Sequence, residues 1–198
     1  MQLDGSLCTP VAPYYGYMGI VFAMALSNVG AAYGTAKAGV GIMSSGVSSP
    51  DLIYKNLIPI IMAGVNGIYG LISSIVISNT IVPPDDYGNN VYSMHNGFAH
   101  LAAGMCVGLA GMASGMAIGV AGDAGVRAFG QLDFEAKKGK LMRAGTGMMA
   151  RGRQKKKNPN DLYVSMVLIQ VFSGNLALFG LITAMILSQE HYECIAEQ

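Results

Sequence analysis

Tryptophan is missing from all 198 residues, only 12% of them are charged, and three cysteines are the whole thiol complement. Each shortage excludes something. Water-soluble domains carry charge on roughly a quarter of their residues, so a chain this poor in charge and 52% hydrophobic is too apolar for an ordinary water-facing surface. Cys8, Cys106 and Cys194 stand at no metal-ligand spacing and form no CxxC pair, and their odd number argues against a disulfide framework. A Cys8–Cys194 bridge would need both tails in one oxidising compartment. The opening MQLDGSLCTPVAP has no basic n-region and no short apolar core before a cleavage site, so the first apolar segment is expected to stay. No cluster of nucleophile, base and metal ligands is present, so neither enzyme chemistry of its own nor a metal or cofactor is expected. The basic residues lack an interleaved aromatic pattern, which leaves nucleic acid without support.

What the chain does have is long apolar runs. About 20 apolar residues cross some 30 Å of hydrocarbon, and four segments qualify: 14–43, 54–81, 93–127 and 161–188. The reading is an all-α membrane protein of one domain, 1–198. Ten of the twelve Lys and Arg lie between Arg127 and Lys157, and the other two, Lys37 and Lys55, flank the first inter-span loop. The second loop, PPDDYGNN, and the tail after Ser188 contain acids and no Lys or Arg. The bias of basic residues toward the cytoplasm then puts loops one and three inside the cell and both termini on the far side.

The second and fourth spans lie on each other without gaps, PIIMAGVNGIYGLISSIVIS over IQVFSGNLALFGLITAMILS, with Gly64, Gly70, Leu71, Ile72 and Ser78 over Gly174, Gly180, Leu181, Ile182 and Ser188. The first and third match more loosely, TAKAGV over AGDAGV. Two tandem helical hairpins follow, 14–81 and 93–188, with the extra length of the second copy in a basic cytoplasmic loop at 130–160, read as a solvated, disordered segment. The odd-numbered spans carry small residues at steps of three or four: Gly30 and Gly34 in the first, and Gly104, Gly108, Gly111, Gly115 and Gly119 in the third. Small faces let helix backbones approach closely where lipid gives no hydrophobic drive for association. Stripes running the length of two spans suggest helices crowded at small radius, side by side in a ring.

The runs GAAYGTAKAGVGI, LIPIIMAGVNGIYGLI, GMAIGVAGDAGVR and VFSGNLALFGLI resemble the proteolipid c-subunit family of V-type (vacuolar) rotary ATPases, across all four spans and in order. The resemblance implies a rotor ring of such subunits in the membrane of a vacuole or other acidic organelle, with spans one and three lining its inside. The partners it implies are other proteolipid subunits, a stationary membrane subunit, a central-stalk subunit and the bilayer. It also implies a glutamate in the fourth span that carries the proton. Such a group must titrate, because a bare charge at the bilayer centre costs about 2.5–3.5 kcal/mol or more and reversible neutralisation avoids that.

That glutamate is absent. The aligned letters are Phe172, Ser173, Gly174 and Asn175, so Gly174 fills the proton-site position, and no acid of the chain falls at the middle of any span. A paralogue in the family carries its acid in the second span, where this chain has Gly64. Gln170, Ser173, Gly174 and Ala177 share a helical face, with Asn175 one step round. The polar members could line a water or ion position, or simply bond across to a neighbouring helix, which the inability of amide and hydroxyl to exchange protons near neutrality favours. Asn66 reads the same way. His100, about two turns into its span, reads as a packed or hydrogen-bonded histidine rather than a carrier. Asp123 and Arg127 read as a helix-end pair. A rotor subunit without its own carboxylate is the leading expectation. The alternative is a scaffold or pore-forming oligomer that kept the fold and binds acidic lipid through Lys155, Lys156 and Lys157.

Overall fold

The computed structural model describes residue 9 and residues 11–47, 50–82, 92–145 and 159–189. Four α-helices account for nearly all of them: α1 (Ala12–Gly46), α2 (Ile58–Thr80), α3 (Met94–Gly145) and α4 (Pro159–Ser188). All four are long and apolar enough to cross a membrane. Helix is the conformation lipid demands, because each backbone N–H must find its acceptor within the segment. Prolines mark three starts: α1 and α2 carry one in the first turn and α4 opens on Pro159. There the missing N–H would have had no helical acceptor anyway. Thr80 ends α2 by donating its hydroxyl to Ile77 O at 2.7 Å, after which Ile81 is extended.

Helices α1 and α3 make the most extensive contact, α2 flanks α1, α4 flanks α3, and α2 also meets α4. The seam between α1 and α3 is parallel, with Gly19 against Gly104, Gly30 against Gly115 and Gly34 against Gly119. A Cβ on Gly104 would run into the Gly19 carbonyl, and one on Gly115 into that of Gly30. Gly108 packs on Phe22 and Leu26, and Gly111 on Ser27. The two hairpins are antiparallel, shown in the first by Ser74 Oγ donating to Ile20 O at 3.2 Å and in the second by the Phe129–Tyr163 ring contact at 5.7 Å.

The interior is small and partly polar: Ser27, Asn66, Ser73, His100, Ser114 and Gln170 are buried, while Val21, Ile61, Ile68, Phe172 and Phe179 are exposed on the outside. This is the distribution expected where the surroundings are hydrocarbon and large apolar side chains gain nothing by turning inward.

The third helix departs from the sequence reading. The expected loop begins as helix: α3 continues past Arg127 and through the first part of the basic segment to Gly145. Asp133 and Lys137, one turn apart and 3.4 Å from each other, bridge that extension. It lacks proline, and its Leu, Glu, Ala, Lys and Met are strong helix formers.

Candidate functional site

At the level where the resemblance places a proton carrier, α4 turns three different faces to its surroundings. Ser173 points inward, Gly174 is half-buried and Asn175 is exposed. Ser173 belongs to a chain of hydrogen bonds through the interior. Asn66 Nδ2 on α2 donates to Ser114 Oγ on α3 at 3.0 Å, Ser114 Oγ donates to Ser173 O on α4 at 2.7 Å, and Ser173 Oγ returns a bond to Ser114 O at 3.3 Å. Three helices are thus tied at mid-span by neutral groups, none of which exchanges a proton near neutrality.

Gln170, one turn before Gly174, is fully buried. Its amide reaches the Gly122 face of α3, where Pro59 of α2 and Ala38 of α1 also converge. Neither its Nε2 nor its Oε1 finds a partner among the described residues, and Asn66 Oδ1 is likewise unpaired. Asn66 therefore makes the cross-helix bond expected of such amides and Gln170 does not. Spacing puts Gln170 on a face with Ser173 and Ala177 and leaves Asn175 one step round, and the structure turns that shared face into the bundle and Asn175 to its outside.

Around Gly174 there is room. A Cβ there would meet only the terminal methyl of Met62, at 3.3 Å, and one on Gly64 would meet nothing within 4 Å. Phe172, two positions earlier and so on the far side of α4, is 65% exposed, and no acid among the described residues lies at the level of Gly174 on α4.

His100 is held at the opposite end of the bundle from Arg127. Thr80 Oγ1 already donates to Ile77 O, so it accepts from His100 Nε2–H at 3.3 Å, leaving Nδ1 to accept from the Tyr92 hydroxyl at 2.5 Å. Burial, with Tyr17 adding to it, pushes the Tyr92 phenol above its ordinary range and keeps it a donor. Tyr92→Phe is expected to lower stability by about 1–3 kcal/mol, because it strips a buried acceptor of its donor. The readout is the melting temperature in detergent, and a melt equal to that of the unaltered protein would mean Nδ1 has a second donor.

Asp123 and Arg127 do pair, Nε to Oδ1 at 2.7 Å. Lys155, Lys156 and Lys157 lie outside the described residues, as do Cys8, Cys194 and the PPDDYGNN loop. The extent of the helical arm and the inward turn of Gln170 are what sequence reasoning missed. The absence of proline and the density of Leu, Glu, Ala, Lys and Met after Arg127, despite Gly130 and Gly139, were the available signal for the first, and nothing in the letters gave the second.

Four spans, a glycine seam between the odd-numbered helices and a glycine-lined notch on α4 are found together with wider likeness. A family model described as that of the ATP synthase C subunit matches residues 18–77. The chain is 47% identical to the "V-type proton ATPase 16 kDa proteolipid subunit" of Chrysotila carterae over 95% of its own length and 98% of the relative's. It is 43% identical to the c subunit of the V-type proton ATPase of Schizosaccharomyces pombe, covering 94% of both chains. With the c' subunit of the V-type proton ATPase of Saccharomyces cerevisiae the identity is 40%, over 94% of this chain and 95% of the relative. Likeness of this depth over nearly the whole length, on a four-span helical fold, shows that the chain belongs to the proteolipid c-subunit family of V-type proton ATPases.

Proposed function

We propose that this chain is a member of the membrane rotor ring of a V-type ATPase, taking part in proton transport across the membrane of a vacuole or other acidic organelle, without a proton-carrying carboxylate of its own. The observation that carries the reading is the notch at Gly174: family and fold call for an acid on α4, and the position holds only a half-buried glycine beside Met62. Neighbouring proteolipid subunits would then supply the carriers, and this copy fills a place in the ring, with α1 and α3 toward its axis and α2 and α4 toward lipid and the stationary subunit. The glycine seam that brings α1 and α3 closest together, as helices crowded at small radius would be, supports that placement. The crowding of bases after Arg127 supports a cytoplasmic α3–α4 connection facing the central stalk, with both termini lumenal. Chemistry at the nucleotide belongs to other subunits.

Two measurements test this. The chain is expected to co-purify with the other subunits of the ATPase; recovery only in unrelated assemblies would refute ring membership. A carbodiimide that modifies buried carboxylates is expected to leave all four spans of this chain unlabelled while labelling other proteolipids of the same ring, and an adduct on any of its spans would overturn the carrier-free reading.

The second reading is a scaffold or pore-forming oligomer that binds acidic lipid through Lys155, Lys156 and Lys157. The missing acid and the basic segment favour it. A homo-oligomer free of ATPase subunits, losing acidic-lipid binding when those three lysines are replaced, is what it requires.

A further inference from the structure

The end of the bundle nearest the basic segment has a cleft of about 270 Å³ between α1 and α3, lined by Ser44, Ser45, Arg127, Gly130, Gln131 and Phe134. Its depth relative to the bilayer follows from α2, whose 23 residues measure about 34 Å and so barely exceed the ~30 Å hydrocarbon core. Pro59, at the start of α2, lies against Gly122 of α3, and Thr80, at its end, bonds His100. The stretch of α3 from His100 to Gly122 therefore crosses the hydrocarbon. Arg127 sits about 7 Å further along the helix axis, within the polar layer of about 5–8 Å on each side of the core. The cleft thus lies at the height of lipid headgroups.

Its chemistry suits an anion with an apolar tail. Arg127 Nε is taken by Asp123 Oδ1 at 2.7 Å, which leaves the two terminal nitrogens of the guanidinium for another acceptor. Among the described residues Asp123 is the carboxylate that meets Arg127; its Oδ1 is engaged by Arg127 Nε and lies where a side chain at Gly41 of α1 would run into it. Gln131 adds an amide one turn on. The hydroxyls of Ser44 and Ser45 donate to Gly41 O and Val126 O, at 2.9 and 3.1 Å, which settles where their protons point. Below the cleft the helices continue as exposed apolar surface: Val40 precedes Ser44 by one turn of α1, and Val120 precedes Arg127 by two turns of α3. Phe134 is half-exposed at the outer rim. A cation and an amide at headgroup height, over an apolar track toward the membrane centre, match one ligand class.

We infer that this cleft is a binding site for the phosphate of an anionic phospholipid, held by Arg127 and Gln131, with an acyl chain along Val40 and Val120. The site is separate from Lys155, Lys156 and Lys157 and does not depend on the rotor reading, since it rests on residues of this chain alone. Arginine is the suitable cation because its planar fork donates to two phosphate oxygens at once, where lysine offers a point charge.

Native mass spectrometry of the detergent-purified, full-length protein, titrated with phosphatidylglycerol or phosphatidylcholine, tests it. Arg127→Gln is expected to weaken phosphatidylglycerol binding about tenfold, the loss of charge-assisted hydrogen bonds; phosphatidylcholine has the same phosphodiester, but its choline cation opposes Arg127, so the unaltered protein is expected to bind it more weakly and the variant to lose less of that binding. Arg127→Lys should retain part of the preference, and the triple replacement of Lys155, Lys156 and Lys157 by glutamine should retain nearly all of it. Should Arg127→Gln fail to fold once its bond to Asp123 is gone, Val40→Ser with Val120→Ser weakens the acyl track without touching the charge and is expected to lower binding several-fold. Unchanged phosphatidylglycerol binding in a folded Arg127→Gln, or in the double serine variant, overturns the site. Loss on replacing the three lysines assigns the lipid to the basic segment instead, and equal competition by inorganic phosphate reduces the cleft to a free-phosphate site.

Discussion

Gly174→Glu is expected to let this chain stand in for a standard proteolipid subunit and restore acidification in cells that lack one, with one carbodiimide adduct on α4 where the unaltered chain gives none. The expectation rests on space and on direction. A Cβ at this position touches only the end of the flexible Met62 side chain, which can move aside at little cost. Helical side chains lean toward the N-terminus of their helix, so a carboxyl at 174 would extend toward the level of Gln170. That amide is buried, with both polar atoms unpaired among the described residues. Its Nε2–H is a ready donor to a carboxylate, and its Oε1 a ready acceptor from the protonated acid. The new group would be half-buried, neutral against lipid and ionised only where an opposite charge meets it, the one arrangement that avoids the cost of a bare charge in hydrocarbon. Correct assembly without restored acidification would mean that the notch has drifted beyond the loss of one side chain. Restored labelling without transport would place the fault at the contact with the stationary subunit.

The spans were legible because hydropathy measures the one thing a bilayer selects for. Each predicted segment falls on one helix, overrunning it only at Tyr54–Leu57 and Ile81 around α2 and at Ser93 before α3. The glycine steps likewise forecast a close seam, since only small residues let two backbones meet where no water drives them together. Two features were hidden. Charge after Arg127 read as loop, although charge speaks of solvent and not of backbone: the Asp133–Lys137 pair belongs to an exposed helix as readily as to a disordered tail. The inward turn of Gln170 was hidden for a different reason. In a soluble helix the polar stripe marks the outside, but here outside and inside are both largely apolar, and the interior is in places the more polar of the two, with His100, Asn66, Ser114 and Gln170 all buried. Periodicity can then show which residues share a face and cannot show which way that face looks. Only the packing of α4 against Gly122, Pro59 and Ala38 decides it.

Gly115→Ala is expected to destabilise the bundle more than an added methyl at any open glycine of this chain. The added methyl would sit against the Gly30 carbonyl, and backbone atoms lie on both sides of the contact, so no rotamer change can relieve it. Overpacking against side chains costs about 1–3 kcal/mol; where two backbones must separate along the α1–α3 seam, the upper end of that range or beyond is expected. Against a total stability of about 5–15 kcal/mol, that is enough to cut accumulation of the assembled protein sharply. Gly64→Ala and Gly39→Ala are the matched controls, since a Cβ at either meets nothing within 4 Å. Alanine also favours helix over glycine by up to about 1 kcal/mol, so both controls should melt at or above the unaltered protein. Gly30→Ala, whose Cβ would come within 2.5 Å of Met112 Cα, should behave like Gly115→Ala. The double variant should lose less than the two single losses added together, because helices already pushed apart by one methyl have made part of the room for the other. Strict additivity would place the two contacts on independent seams. A Gly115→Ala protein that melts with the controls would mean that α1 and α3 stand further apart than the Gly30–Gly115 contact requires.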